Sequence, residues 1–412
     1  MRIGYLVQQF PPEVGAGPAR IGEMVRRWSL AGADVTVCTA MPNRPEGRIH
    51  AHYRGRLFAE ETWEGVRVLR SWLFARPGGG LAKTLLNNTT FAVTAMLHAL
   101  RRAGPFDVLV ASSPPYFPLP VGLLLARLWT KPLVLELRDL WPEYLVEMGV
   151  LRARWLERAV LRLDRALLCR ARHVVTVTEP LRKRIIEKGV PSSEVTVISN
   201  GVDPDEYFPN DEAPFTPELV RTDGTLLIGY LGNFGAGQAL EVVLEAARRV
   251  AATHAKVRFV LVGDGTDYRK VSEQAKRLAL PNLRILPAIP KNLTRAFYNN
   301  CDACLVSLAP LPIFAGALPT KLFEIMACGR SVIASATGEV PKVLKESGGG
   351  WAVAPGDAGA LADAVVRLAT LAPQDRAAMG RRGREYVAQR FHRGALAERY
   401  LELLKRAATH PR

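Results

Sequence analysis

Short apolar runs rich in β-branched residues alternate with longer amphipathic segments along the first half of the chain. The runs are Ile3 to Val7, Val35 to Ala40, Val108 to Ser112, Leu133 to Leu137, Val174 to Thr178 and Val195 to Ser199. This alternation predicts βαβ units on a parallel sheet. Between the first two runs, Ile21, Met24, Val25 and Trp28 share one face of a predicted helix. The pattern restarts after residue 220 with Leu226 to Leu231, Phe259 to Val262, Arg284 to Leu286, Ala303 to Leu308, Ser331 to Ala336 and Trp351 to Ala354, which predicts a second parallel sheet. The two series open alike, with Ile3-Gly4-Tyr5-Leu6 and Ile228-Gly229-Tyr230-Leu231, each followed by a Gly-containing turn and a helix.

A chain of 412 residues exceeds what one hydrophobic core supports, so two α/β domains are expected, with a cleft between them as the default site. The linker is Asn200 to Pro209 together with the polar, Pro-containing stretch to Thr225. It divides a first domain, 1–203, from a second, 204–387. The terminal segment carries Leu396, Ala397, Tyr400, Leu401 and Leu404 on one helical face and is therefore expected to dock.

Hydrophobic residues at 48% and charged residues at 23% describe a globular chain. A net charge of +16 favours an anionic partner, whether nucleic acid, anionic lipid or a phosphorylated small molecule. Much of the excess lies in Arg152, Arg154, Arg158, Arg162, Arg165, Arg170 and Arg172, interleaved with Trp155, Leu156, Ala159, Val160, Leu163 and Leu167. Two readings stand: a helix with a solvated basic face, or a basic face resting on an anionic membrane. The five cysteines are scattered and odd in number, which argues against a disulfide framework and fits a reducing cytoplasm. Cys301 and Cys304 read as the entry to a buried strand rather than a metal or redox pair. The N-terminus reads as a first strand rather than a leader, and the most apolar stretch, Tyr116 to Leu137, is broken by Arg127, Lys131 and prolines, so no membrane span is expected.

Open α/β sheets bind ligands beyond the carboxyl ends of their strands. The loops after the first strand of each half, Pro11 to Pro18 and Gly232 to Gly237, are both Gly-rich and lead into helices whose free N–H groups suit a phosphate or a sugar. Neither ends in G-K-[ST], and neither fits the dinucleotide fingerprint. The most informative segment is Leu318 to Ile333. Pro319 opens a predicted helix, Gly329 caps it, and Lys321 and Glu324, three residues apart, share one face near its start. A lysine there suits a diphosphate and a glutamate suits the two hydroxyls of a ribose, while the alternative is a surface ion pair.

In order and wording these pieces resemble family 4 of the retaining glycosyltransferases. The resemblance rests on Phe10-Pro11-Pro12 with its Gly loop, Asn200-Gly201-Val202-Asp203, Leu261-Val262-Gly263-Asp264-Gly265, and Pro319-Thr320-Lys321-Leu322-Phe323-Glu324 through Gly329. Leu137-Arg138-Asp139-Leu140-Trp141-Pro142-Glu143 is similar to the branch that builds bacterial surface polysaccharides, including N-acetyl-L-fucosamine transferases. The resemblance implies a GT-B fold, two Rossmann-like doubly wound α/β domains facing a central cleft, with the terminal helix (388–412) crossing back to the first domain. It also implies metal-independent transfer, with no cofactor, from a nucleotide sugar with retention. Glu324 would hold the ribose and Lys321 the diphosphate. Gly15, Ala16 and Gly17 would approach the donor, and Gly263, Asp264, Gly265, Ala288 and Ile289 would line the nucleotide pocket. One departure stands out. Many members carry a second glutamate eight residues before the one matching Glu324, where it touches the donor sugar, and here that position is Gly316. Asp203-x-Asp205 resembles a metal-binding D-x-D only superficially, because it sits in the linker.

Breaking the bond between sugar and diphosphate develops negative charge on the leaving group, so its stabilisation is the main catalytic task. That task is assigned to Lys321, the Asn233-Phe234-Gly235 backbone and the helix from Pro319. Asp139 is a candidate to orient or deprotonate the acceptor hydroxyl, or else a helix cap, and Arg138 and Glu143 fall on the acceptor side. The expected donor is a UDP-linked N-acetylated or deoxy sugar. The expected acceptor is a polyprenyl-diphosphate-linked saccharide at the inner face of the cell membrane, with the arginine-rich region and Arg76 to Leu100 near the lipid. A nucleotide-sugar epimerase and a basic nucleic-acid-binding protein are the alternatives. None of the seven histidines falls in a motif for the first, no recognition motif supports the second, and no nucleic-acid partner is expected.

Overall fold

The computed structural model describes residues 1–44, 46–78, 80–141, 143, 146, 153–210, 214–220 and 224–409. Gly79, Pro142, Arg152, positions 211–213 and 221–223 of the linker, and the last three residues of the terminal segment lie outside the described residues. The chain divides into two compact units. One comprises Met1–Ser199 with Gly394–Arg412, and the other Asn200–Arg393.

In chain order the first unit holds β1 (Arg2–Leu6), α1 (Ala16–Leu30), β2 (Asp34–Ala40), β3 (Phe58–Trp63), β4 (Val66–Ser71), α2 (Leu81–Arg102), β5 (Val108–Ser113), α3 (Pro118–Leu128), β6 (Leu133–Leu137), α4 (Arg154–Leu168), β7 (His173–Thr176), α5 (Glu179–Glu187) and β8 (Val195–Val197). Its strands order β3-β4-β2-β1-β5-β6-β7-β8, all parallel except β3 against β4. Strand alternation sends Ile3, Tyr5, Val37, Val110 and Val175 to one face and Leu6, Cys38, Leu109, Ala111 and Leu135 to the other. Both faces are covered, which is why these strands read as unbroken apolar runs. The hairpin β3–β4 escaped the sequence pattern because Glu60, Glu61, Arg67 and Arg70 interrupt it. Arg70 is nevertheless fully buried, with donor groups bonded to Glu61, the Ala40 carbonyl and the Pro11 carbonyl.

The second unit holds β9 (Leu226–Asn233), α6 (Glu241–Ala251), β10 (Val257–Asp264), α7 (Tyr268–Leu278), β11 (Leu283–Leu286), α8 (Thr294–Asn300), β12 (Ala303–Ser307), α9 (Thr320–Ala327), β13 (Ser331–Ser335), α10 (Glu339–Ser347), β14 (Gly350–Val353), α11 (Ala358–Thr370) and α12 (Pro373–Arg390). Its parallel sheet orders β11-β10-β9-β12-β13-β14. The chain then passes into α13 (Arg393–Thr409), whose Leu396, Ala397, Tyr400 and Leu404 are buried in the first unit against Trp28. The Trp28 indole N–H donates to the Ala397 carbonyl at 2.9 Å.

The unit boundaries fall a few residues from 203/204 and 387/388. A backbone bridge joins Val202 to His392, with Val202 N–H donating to Phe391 O and Arg393 N–H to Val202 O, and this ties both crossing segments to the second unit. Among the described residues no helix is long and apolar enough to cross a membrane. All five cysteines are free.

Candidate functional site

In each unit the first strand lies where the chain reverses its direction of strand addition, between β2 and β5 in one sheet and between β10 and β12 in the other. A doubly wound sheet opens a crevice at such a point, beyond the carboxyl ends of its strands.

In the second unit the loops after β9 and β10 run side by side, with Gly232 opposite Gly263 and Asn233 opposite Asp264. A β-carbon on Gly263 would collide with the Gly232 carbonyl, so only glycine allows the two backbones this approach. Phe234 is fully buried between Tyr230 and Tyr268, and its N–H donates to the Asp264 carbonyl at 2.8 Å. Phe234 therefore anchors the loop from below, and its N–H is already engaged, unlike the free donor expected there. The Asp264 carboxylate likewise accepts from Gly265 N–H. Asn233 is exposed, its amide donating to Gln238. The helix after this loop begins only at Glu241, because Ala236–Gln238 forms a 3-10 turn and Ala239 adopts a left-handed conformation. Ala288 and Ile289 follow β11, Ala288 exposed and Ile289 half-buried.

Pro319 caps α9 in an extended conformation, and Gly329 follows the last turn at φ 65°. Lys321 does not pair with Glu324: among the described residues no ion pair joins them. The Lys321 Nζ lies 4.1 Å from the Tyr230 ring centroid, over Gly232, whose β-carbon, if present, would occupy the same space. Burial lowers the Lys321 pKa to about 8, with Glu324 pulling the other way. Glu324 accepts from the Tyr298 hydroxyl at 3.3 Å. Burial raises its pKa, opposed by Arg393 and Lys291. A half-buried cation and a half-buried carboxylate thus stand on one turn without neutralising each other, a charge pattern suited to a ligand with phosphate at one end and hydroxyls at the other. Gly316 ends a 3-10 turn, Pro312–Gly316, whose Phe314 packs on Gly237. Tyr230, Tyr298 and Gly232 complete this arrangement. Gly232 opens the Gly-rich loop that the sequence singled out, whereas no sequence signal beyond a place in a strand and in a helix marked Tyr230 and Tyr298.

In the first unit Gly15 caps α1 without a side-chain bond, and no acidic residue occupies the first turn. Instead the Arg138 guanidinium lies against Gly17, so closely that a side chain there would displace it. Arg138 is fixed by donating to the carbonyls of Ser113 and Pro114, at 3.3 and 2.9 Å. A cation beside the positive end of a helix forms a seat for an anion. Glu13 ties this loop to the one after β2, accepting from the N–H groups of Asn43 and Arg44. Asp139 is exposed in surface area, yet protein crowds its carboxyl enough to push the pKa up, against the pull of Arg138. Glu143 is held in an ion pair with Lys188, which also meets the buried Asp164 at 2.5 Å. Its charge is answered within the fold.

Trp155 and Leu163 of α4 are 73% and 55% exposed and lie on the same side as the exposed Arg158 and Arg162. In α2, Leu85, Leu86 and Val93 are exposed, whereas Phe91 is buried. The helix α3 touches both α2 and α4 and adds exposed Leu124 and Leu128.

Residues 15–201 match a glycosyl transferase 4-like domain and residues 225–370 the glycosyl transferases group 1 domain. WcaI of Escherichia coli (strain K12), assigned to colanic acid biosynthesis as a glycosyl transferase, is 26% identical over 335 residues, 79% of this chain and 81% of WcaI. WbjE of Pseudomonas aeruginosa, assigned as a glycosyltransferase, is 28% identical over 320 residues, 76% of each chain. Among solved structures, sucrose-phosphate synthase from Thermosynechococcus elongatus matches 98% of both chains with a TM-score of 0.75 at 19% identity. HepE from Anabaena, in complex with UDP-glucose, matches 98% of this chain and 100% of its own with a TM-score of 0.70 at 19% identity. These likenesses favour glycosyl transfer over the epimerase and nucleic-acid readings.

Proposed function

Given that this chain is a glycosyltransferase of the GT-B fold, its halves belonging to the glycosyl transferase 4-like and group 1 families, we propose that it moves a sugar from a nucleoside-diphosphate donor to a polyprenyl-diphosphate-linked saccharide. The role is the building of a surface polysaccharide, as the assignment of WcaI to colanic acid biosynthesis supports. The observation that carries the reading is the unpaired Lys321 and Glu324 on one helical turn at the second sheet's switch point.

In this reading Lys321 meets the donor diphosphate and Glu324 the ribose hydroxyls, with the base running toward Ala288 and Ile289 along Gly263 to Gly265. When the anomeric C–O bond breaks, its electron pair passes to the β-phosphate oxygen, and the Lys321 ammonium stabilises that charge in a partly desolvated setting. No metal ion is required for that step. Arg138 and the α1 N-terminus at Gly15 to Gly17 hold a second anionic group, and Asp139 accepts the proton of the attacking hydroxyl. The sugar is transferred with retention. A UDP-linked deoxy or N-acetylated sugar is the donor class: the UDP-glucose held by HepE supports the UDP part alone, and the missing carboxylate at Gly316 leaves the sugar to be read by other residues. The exposed Trp155 and Leu163, beside Arg158 and Arg162 on α4, and the exposed Leu85 and Leu86 of α2 rest on an anionic membrane at its cytoplasmic face.

The test is a donor screen by nucleotide release, with membrane extract supplying acceptor. Turnover of one UDP-sugar, lost in Glu324→Ala together with UDP affinity, is the expected result. No turnover of any nucleotide sugar, with Glu324→Ala binding UDP as the parent does, would overturn it.

A further inference from the structure

Lys321 and Glu324 carry opposite charges three residues apart on α9, a spacing at which such side chains ordinarily meet. Each is instead held by an aromatic residue from another element. The Lys321 ammonium lies over the Tyr230 ring, and the Glu324 Oε2 accepts from the Tyr298 hydroxyl at 3.3 Å. That is long for such a bond and leaves room to tighten when a ligand closes on the carboxylate. Tyr298 is 1% exposed, packed in the apolar cluster that also holds Phe297, Phe323 and Cys328, so its hydroxyl is a donor of fixed position. Its helix, α8, is pinned independently of α9. The Asn299 amide donates to the Phe208 carbonyl at 3.0 Å, and just beyond the helix the Asp302 carboxylate accepts from the Leu227 N–H at 2.8 Å. Glu324 is only half-buried, and among the described residues the Tyr298 hydroxyl is the one hydrogen-bond donor on its carboxylate. The other charges that act on it, apart from Lys321, are Arg393, Lys291 and Glu206, and Glu206 draws both cations to itself at 3.7 and 3.0 Å. Tyr207 and the Cys328 thiol are its neutral titratable neighbours.

We propose that Tyr298 is a positioning residue of the donor site: its hydroxyl holds the Glu324 carboxylate away from Lys321, so that the two charges on this turn meet the ligand rather than each other. The inference rests on the reading of Glu324 as the acceptor of the ribose hydroxyls. Without the phenol hydroxyl the carboxylate is free to swing to the ammonium one turn earlier, which spoils the diphosphate contact and the ribose contact together. With it, Oε2 is occupied from below, and the carboxylate meets a 2′,3′-diol in one fixed plane. A nucleotide that lacks one of those hydroxyls then leaves a partly buried charge short of a donor. Tyr298 thereby sets how strongly the site prefers a ribonucleotide to a deoxyribonucleotide, although it touches neither.

Calorimetric titration of the full chain with UDP and with 2′-deoxy-UDP tests this in the wild type, Tyr298→Phe, Glu324→Ala and the double variant. Tyr298→Phe keeps the buried ring and should fold. It should bind UDP about ten- to a hundredfold more weakly, the range for one hydrogen bond to a charged group, and lose most of the preference for UDP over 2′-deoxy-UDP. In the Glu324→Ala background the same substitution should add less than about a twofold change, because a residue that acts through the carboxylate has nothing left to act on. A tyrosine that only packs would weaken both nucleotides equally and add its full effect to Glu324→Ala. That result, or parent-like UDP binding by Tyr298→Phe beside a weakened Glu324→Ala, overturns the role of Tyr298 and leaves the ribose reading intact. If Glu324→Ala itself binds UDP as the parent does, the ribose reading fails and the role of Tyr298 with it.

Discussion

The Lys321 ammonium sits 4.1 Å from the centroid of Tyr230, a cation held over an aromatic face with no carboxylate partner among the described residues. Its pKa of about 8, against an ordinary value of 10.5, makes the charge titratable near neutrality. A bound diphosphate favours the protonated amine, so affinity for UDP should hold steady to about pH 7.5. It should then fall by up to about tenfold per unit above pH 8, as one proton must be taken up on binding. Calorimetry from pH 6.5 to 9.5 measures this, and Lys321→Met should be weaker throughout and flat above pH 7. Stability runs the other way. The folded chain holds this proton less tightly than the unfolded one, so the penalty is present below pH 8 and disappears as pH rises toward 10.5. A wild-type affinity independent of pH across that range would remove Lys321 from the diphosphate site.

Gly232 makes the position of Lys321 possible. Its φ of +151° and the ammonium above it leave no room for a β-carbon. Gly232→Ala should therefore push the lysine away from the crevice and weaken UDP binding by about ten- to a hundredfold, the range expected for losing one charge-assisted contact. Acceptor-membrane binding should be unchanged. Should Gly232→Ala bind UDP normally while remaining folded, the close packing of Lys321 on this strand has no functional consequence.

How far the sequence reached follows from which interactions are local. The parallel strands were readable because residues such as Val35, Val37, Val108 and Val110 are buried on a sheet covered on both sides. The hairpin β3–β4 was not, since Arg70 is satisfied by Glu61, Ala40 and Pro11, partners that only the folded chain brings together. At the site, the spacing of Lys321 and Glu324 located the helix turn correctly but suggested an ion pair. The structure turns each toward a different aromatic residue, one on β9 and the other, Tyr298, 26 positions earlier on α8. Periodicity also marked the apolar positions of α4 without saying which of them the fold covers: Asp164, Leu167 and Leu168 are buried, whereas Trp155 and Leu163 are exposed.

That exposure can be tested directly. Trp155 is 73% exposed beside Arg158 and Arg162, a mixed aromatic and basic surface of the kind that partitions to an anionic interface. Sedimentation with vesicles of 30% phosphatidylglycerol should show binding that weakens with salt. Each arginine removed should cost roughly 1 kcal/mol, so Arg158→Gln/Arg162→Gln should bind about tenfold to thirtyfold less well. Trp155→Ala should lower binding at high salt too, because its contribution is apolar. Equal partitioning of all three proteins would show that this face does not meet the membrane.

In the first unit the core holds a buried charge pair, Arg20 with Glu136, whose guanidinium and carboxylate approach to 3.1 Å. Arg20 also donates to the carbonyls of Ile198 and Ser199, the last residues of the first unit's leading segment, while Glu136 accepts from Tyr5 and Ser112. Burial raises the Glu136 pKa, but Arg20 and Arg138 more than offset this and hold it below the ordinary carboxyl value. Its stabilisation is thus present above about pH 4.5 and lost as pH falls through the lower folded value. Glu136→Gln keeps most of the hydrogen bonds but strands the Arg20 charge, and breaking such a pair from one side costs about 3–5 kcal/mol. Replacing both, as Arg20→Met/Glu136→Leu, should recover much of that loss, because a packed apolar pair carries no desolvation penalty. Six of the seven tryptophans lie in the first unit, so urea denaturation followed by tryptophan fluorescence reports mainly on it. The expected order of midpoints is wild type, then the double variant, then Glu136→Gln, with the gap between wild type and Glu136→Gln closing below pH 4. If Glu136→Gln unfolds within about 0.5 kcal/mol of wild type at pH 7, Arg20 is held by the two carbonyls alone and the carboxylate is dispensable.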